Sequence, residues 1–138
     1  MRVLAIDIGE KRIGVAAGDT STGIAVPLKV LPAAEVLQGA RTWRMLIEDN
    51  EPELIVSGLP VSLDGSNGKQ AEHIRAQAEG IAKAAGLALE FSDERLSSKE
   101  AKRILREQGL SEREMRGRVD SVAASLFLET WLAQHREA

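Results

Sequence analysis

Four acidic residues stand at three places where predicted strands end or a predicted helix begins. Asp7 directly follows the apolar run 3–6, Asp93 and Glu94 follow a later predicted strand, and Asp120 opens the last predicted helix. Sites in α/β domains gather beyond the ends of the strands. Carboxylates can cluster there when Mg²⁺ or Mn²⁺ neutralises them, and such ions clamp the attacking and leaving oxygens of a phosphodiester during hydrolysis. The acids therefore point to metal-dependent phosphodiester chemistry.

Asp120 belongs to the apolar side of its predicted helix. At 100° per residue it shares a face with Ala123, Ala124 and Phe127, so a helix packed on a sheet would turn this carboxylate inward. A buried carboxylate needs a partner, either a basic residue or a divalent cation.

Each acid also has a purely structural interpretation. Asp120 could cap the last helix, because Asp is a favoured N-cap residue. Asp93 or Glu94 could be a capping acid or an ion-pairing acid for Arg95 and Lys99. Asp7 is the hardest to explain in this way, since it ends a buried strand and enters a glycine turn.

The hydrophobic pattern predicts a mixed α/β domain. Strands 2–7, 12–18 and 23–31 follow one another as an antiparallel meander, and Pro27 favours an edge position for the third. The remaining predicted elements are, in order, a helix over 33–50, a strand over 54–56, a helix over 69–85, a strand over 87–92, a helix from Ser97 or Ser98 to 107, and a helix over 119–135.

Two segments could contact phosphate. The loop 58–68 is rich in Gly, Ser and Asn, whose N–H and hydroxyl groups can face an anion at the start of the following helix. The segment 95–118 carries eight basic and four acidic residues, a charge of +4, which leaves −7 for the rest of the chain. Either segment could equally be an ordinary loop or a solvated helix face.

Composition limits the function classes. The chain has 138 residues, the length of one domain, and no cysteine, so thiolate metal sites and thiol nucleophiles are excluded. No apolar run approaches the length of a membrane-spanning helix, and no secretory signal pattern is present. We expect a single domain over 1–138, cytoplasmic, with no membrane partner. A net charge of −3 argues against a globally basic surface for nucleic acid.

Several motifs together resemble the YqgF (RuvX) family of bacterial Holliday junction resolvases. They run in order along nearly the whole chain: DIGEKRIGVA at 7–16, GLP at 58–60, LDGS at 63–66 with Gly68, DERLS at 93–97, and DSVAA at 120–124. The resemblance implies an RNase H-like fold with a five-stranded mixed sheet whose first three strands are antiparallel. It also implies a metal-dependent nuclease that acts on branched DNA or on the 5′ end of precursor 16S rRNA.

The resemblance assigns the acids, and a nuclease of this kind also needs groups that hold the substrate phosphates. Asp7, Glu94 and Asp120 fall on the positions of a carboxylate triad that would bind Mg²⁺ or Mn²⁺. The residues expected to contact substrate phosphates are Lys11, Arg12, Ser66 and Arg95. A monomer and a homodimer both remain open.

Two other functions compete with this one. A non-catalytic RNA-binding factor in ribosome maturation would use the basic segment and keep the acids as structure. An actin-like or sugar-kinase ATPase would also place an Asp and a Gly at the end of the first strand, but a chain of this length lacks the second domain that closes such a cleft.

Overall fold

The computed structural model describes residues 1–60, 68–94 and 97–136. Within them, five strands form one sheet: β1 (Arg2–Ile8), β2 (Arg12–Asp19), β3 (Ala25–Pro32), β4 (Leu54–Leu59) and β5 (Ala88–Asp93). The helices are α1 (Ala33–Leu37), α2 (Arg41–Asn50), α3 (Gly68–Ala85), α4 (Ser97–Glu107), α5 (Glu112–Arg116) and α6 (Val119–Gln134).

The strands lie in the order β3-β2-β1-β4-β5. β1 pairs antiparallel with β2, and β2 antiparallel with β3, whereas β4 runs parallel to both β1 and β5. The predicted mixed sheet with three antiparallel leading strands is confirmed. Pro27 lies in the edge strand β3, as predicted, where it can be accommodated without breaking a central ladder.

The sheet separates two apolar layers. On one face, Leu4, Ile6 and Ile55 pack with residues of α1, α2 and α3, including Trp43 and Ile74. The opposite face is covered by α6, which packs its large residues against small ones from the strands; this second cluster includes Val3, Ala5, Ala16, Val56, Phe127, Leu128 and Trp131. Burial on both faces explains the continuous apolar runs of β1 and β4.

Two helices differ from the prediction. The helix predicted over 33–50 is divided into α1 and α2, because Gly39 adopts a positive φ of 66° that ends the first. Helix α5 was not predicted. Its start carries a capping box, in which Ser111 and Glu114 each accept a hydrogen bond from the other's backbone N–H. None of the helices in the described ranges is long and apolar enough to cross a membrane.

Candidate active site

Asp7 and Glu94 meet at one end of the sheet. Asp7 lies opposite Gly14 in the antiparallel pair of β1 and β2, and strand alternation places it on the face covered by α6, together with Val3 and Ala5. Glu94 directly follows β5 and is hydrogen-bonded to Asp7 through its side chain.

Strand alternation also explains why Glu94, and not its neighbour, faces Asp7. Two residues earlier, Ser92 lies on the α6 face, where its hydroxyl donates to the carbonyl oxygen of Phe127 at 3.4 Å. Asp93 lies between the two and is exposed.

Burial disfavours the charged forms of both acids of this pair. Burial is the largest cause that raises the pKa of Asp7, to about 9, followed by the hydrogen bond to Glu94 and by the charges of Glu94 and Asp120. Burial also raises the pKa of Glu94; the hydrogen bond with Asp7 acts in the opposite direction, and the charge of Asp93 adds to the rise. The pair therefore holds a proton at neutral pH unless positive charge arrives.

Asp120 comes to the same region on α6, and a strand glycine makes this possible. A Cβ atom at Gly14 would lie only 2.6 Å from the backbone nitrogen of Ser121 and against the backbone of Asp120 itself. The first turn of α6 thus rests directly on β2. Asp120 is the second residue of the helix and Arg118 occupies the N-cap position, so the capping interpretation of Asp120 is wrong.

The carboxylate of Asp120 is paired with a basic side chain of the same protein. Its Oδ2 lies 3.5 Å from Nε of Arg12, the first residue of β2. The charges of Arg12 and Lys102 lower the pKa of Asp120, but burial outweighs them and the net pKa is raised. Arg12, predicted to contact substrate, is thus placed against an acid of the site.

A second glycine makes room for Glu94. A Cβ atom at Gly58, in β4, would lie 2.5 Å from Oε2 of Glu94 and 2.7 Å from Cε2 of Phe127. Neither glycine was singled out as a site residue from the sequence. The available signal was a glycine inside a strand pattern, which marks the close approach of another group.

The Asp7–Glu94 pair has the chemistry of a hard-cation site. Its donors are carboxylate oxygens, the ligands that Mg²⁺ and Mn²⁺ prefer, and in the described part of the chain no basic nitrogen lies within 4.0 Å of either carboxylate. Asp120 is held by Arg12 instead. Among the described residues, no three acidic or histidine side chains are arranged closely enough to hold a metal ion. The pair fits a divalent cation, and a third ligand would require Asp120 to turn from Arg12.

The other predicted substrate contacts are distributed differently. Lys11 is exposed in the hairpin between β1 and β2, where its carbonyl oxygen accepts a hydrogen bond from the N–H of Ala33. Ser66 and Arg95 lie outside the described residues. Beside Asp120, a cavity of 330 Å³ brings Arg12 together with Lys102, Arg106 and Arg116, three basic residues of the segment 95–118.

The fold is shared with solved Holliday junction resolvases. Thermus thermophilus RuvC, solved with a Holliday junction substrate, superposes with a TM-score of 0.52 at 16% identity, covering 97% of this chain and 94% of that one. The fowlpox virus resolvase, solved with Holliday junction DNA, gives 0.51 at 11% identity, covering 97% and 98%. These likenesses show that the chain has an RNase H-like fold.

Sequence comparison narrows this class to one family. Residues 1–134 match the family described as RuvX: Holliday junction resolvase. A protein of Anaeromyxobacter sp. (strain Fw109-5), named "Putative pre-16S rRNA nuclease", is 43% identical over 139 residues and covers 96% of each chain. A protein of the same name from Acaryochloris marina is 38% identical over 131 residues, covering 95% of this chain and 91% of that one. The chain belongs to the RuvX family.

Proposed function

We propose that the protein is a divalent-metal-dependent endonuclease that cleaves precursor 16S rRNA near its 5′ end, with four-way DNA junctions as the second substrate to be tested. The observation that carries the proposal is the hydrogen-bonded Asp7–Glu94 pair, buried at the end of the sheet beside Asp120. Membership of the RuvX family and the names of its curated relatives support nuclease activity.

Each residue of the site would have a separate role in cleavage. Asp7 and Glu94 would hold the cation after losing their shared proton, and Asp120 would complete the ligand set. A bound Mg²⁺ or Mn²⁺ would neutralise the charge that builds on the phosphate oxygens during cleavage. Arg12, once released by Asp120, would be free to hold a substrate phosphate, with the exposed Lys11 nearby on the same hairpin.

Cleavage assays with matched variants test the proposal. Purified protein is incubated with Mg²⁺, Mn²⁺ or EDTA and with two substrates: RNA that spans the 5′ end of precursor 16S rRNA, and a four-way DNA junction. We expect metal-dependent cleavage that falls at least about a thousandfold in Asp7→Asn, and strongly in Glu94→Gln and Asp120→Asn.

Asp93→Asn is the matched control, because it removes the neighbouring acid, which does not face Asp7. It should retain most of the activity. Cleavage that persisted in Asp7→Asn, or that was lost equally in Asp93→Asn and Glu94→Gln, would contradict the assignment.

A non-catalytic RNA-binding role is the second candidate. It is favoured by the ion pair between Arg12 and Asp120, which occupies the third acid without a metal. This role predicts binding to the RNA that weakens with salt and is unchanged by EDTA, with no cleavage of either substrate.

A further inference from the structure

The cavity beside Asp120 has an unusual lining. It lies between α4, α5 and the start of α6 and measures 330 Å³. We call it the basic pocket and define it by its four cationic residues, Arg12, Lys102, Arg106 and Arg116. Two acids, Glu112 and Asp120, also line it, so positive charge is in excess.

Three of these cations form no ion pair with a carboxylate in the part of the chain that the structure describes, although the charge of Lys102 acts on Asp120 from a longer distance. Only Arg12 lies within 4.0 Å of one, at 3.5 Å from Asp120. Lys102, Arg106 and Arg116 are exposed at the pocket. Lys102 and Arg106 stand four residues apart on α4, a spacing at which like charges repel and weaken a helix. This spacing on α4 therefore does not explain why the two residues lie together, although Arg106 and Arg116 also stand in the last turns of their helices, where positive charge is favourable.

Another basic residue of the same helix shows the ordinary alternative. The guanidinium of Arg103 forms ion pairs with Glu100 and Glu107, one turn away on either side, and does not line the basic pocket. Helix α4 thus carries two kinds of cation. One kind is neutralised within the helix, and the other converges on the cavity with its charge available to an external anion.

The rest of the lining indicates which anion. Among the described residues that form the basic pocket none is aromatic, so it offers no surface on which a base could stack. Arginine is the side chain best suited to bidentate contact with phosphate oxygens, and the hydroxyl of Ser98 adds a further donor. Asp120 lines the pocket and also borders the Asp7–Glu94 pair, so the two sites are adjacent.

We propose that the basic pocket binds a backbone phosphate of the nucleic-acid substrate other than the one being cleaved. The inference rests on the proposed function, because the adjacent acids define which phosphate is cleaved. A strand would run from Asp7 and Glu94 past Asp120 into the cavity between α4 and α5. If one phosphate is held there, the phosphodiester bond a fixed number of nucleotides along the strand comes to lie against the acids. The pocket would therefore position the substrate and take no part in the chemical step.

The test couples one phosphate to one arginine. Binding is measured in the Asp7→Asn background, so that cleavage does not interfere, with synthetic RNA of the precursor 16S 5′ region and with a four-way DNA junction. Each probe carries a single methylphosphonate, which removes one backbone charge, moved stepwise along the strand. In the RNA the substituted nucleotide is 2′-deoxy, and the same nucleotide with an ordinary phosphate is its control.

We expect one position at which the methylphosphonate weakens binding about tenfold when Arg116 is intact. Arg116→Gln should weaken binding to the unmodified probe by a similar factor and abolish the effect of the methylphosphonate at that position, because the two changes remove the same contact. The slope of log affinity against log salt should fall by about 0.7 to 0.9 for each lost phosphate contact. Lys102→Gln should behave like Arg116→Gln.

Arg103→Gln is the matched control: it removes one positive charge from α4 outside the pocket and should leave the methylphosphonate effect intact. The pocket proposal is overturned if, on both probes, each methylphosphonate weakens binding by the same factor whether Arg116 is present or replaced by Gln. Coupling without any cleavage by the unmodified protein would sustain the pocket and refute the nuclease. Cleavage without coupling would do the reverse.

Discussion

The two faces of the sheet are built from residues of different size. The face under α1, α2 and α3 presents large side chains, such as Leu4, Ile6 and Ile55, which are fully buried. The face under α6 presents small residues where the helix approaches most closely. These include Ala5, Gly14, Ala16, Gly18 and Gly58.

The difference shows how the fold brings the three acids together. Large residues hold a helix away from a sheet, whereas glycines allow backbone to lie against backbone. Only on the α6 face can a residue of the helix, Asp120, approach the end of β1, and only there is space left for Glu94 over Gly58. The face under α1, α2 and α3 thus supplies most of the large core side chains. The face under α6 carries small residues, which leave space for the three acids.

We expect the largest loss of stability when a glycine on the α6 face is replaced by a residue with a side chain. Gly14→Ala places a methyl group against the backbone of Asp120 and Ser121, which cannot move aside as a flexible side chain could. We expect the free energy of unfolding to fall by about 4 kcal/mol, measured by urea denaturation. A loss below about 1 kcal/mol would show that α6 can shift freely on β2.

Truncation on the opposite face should separate stability from activity. Ile55 is fully buried in the cluster with α1, α2 and α3, so Ile55→Ala should lower the free energy of unfolding by about 3 kcal/mol. Cleavage per folded molecule, measured well below the melting temperature, should remain within about twofold of the unmodified protein, a difference of about 0.4 kcal/mol in activation free energy. A large fall in cleavage per folded molecule would mean that this layer also positions the site.

Sequence patterns predicted the sheet well because its cause is local. Continuous apolar runs and turn residues define the strands, and the meander and the edge position of Pro27 follow from them. The break at Gly39 was missed, since apolar spacing continues across it and only the positive φ interrupts the helix. The short α5 was missed for the converse reason: its capping box lies in a charged stretch with little periodicity.

The sequence could predict which residues form the site but not how they contact one another. The apolar face of α6 indicated that Asp120 turns inward, whereas the choice of Glu94 over Asp93 came from the family resemblance and not from the residues themselves. The ion pair between Arg12 and Asp120 and the convergence of Lys102 with Arg116 depend on how α4, α5 and α6 pack, which no local spacing encodes. The functional roles of these residues remain predictions.

Removing the charge of Asp7 should stabilise the protein while it abolishes cleavage. The pKa of Asp7 is raised to about 9 in the folded state, so the folded protein binds this proton more tightly than the unfolded chain, whose Asp has a pKa of about 3.9. The stabilisation is fully present below about pH 4 and is lost as the pH rises through the folded pKa. Asp7→Asn avoids that loss, and we expect its free energy of unfolding to exceed that of the unmodified protein by about 2 kcal/mol at pH 8.5 and by little at pH 4.

Divalent cations should stabilise the folded protein by binding the Asp7 carboxylate. At pH 8.5, Mg²⁺ should raise the melting temperature of the unmodified protein and leave that of Asp7→Asn unchanged, because binding to the folded state alone is stabilising. Equal shifts in both proteins would place the cation elsewhere.

The smallest expected effect concerns a glycine that does not lie against the sheet. Gly80 is an exposed residue within α3, and a Cβ atom there would meet nothing within 4 Å. Gly80→Ala should therefore raise the free energy of unfolding by about 0.5 to 1 kcal/mol, since alanine loses less conformational entropy in a helix. The same substitution at Gly14 carries the opposite sign, so the pair, measured in one urea series, tests whether the need for glycine comes from contact with α6. Destabilisation by Gly80→Ala would show that α3 also depends on a close approach, and the contrast between the two faces would fail.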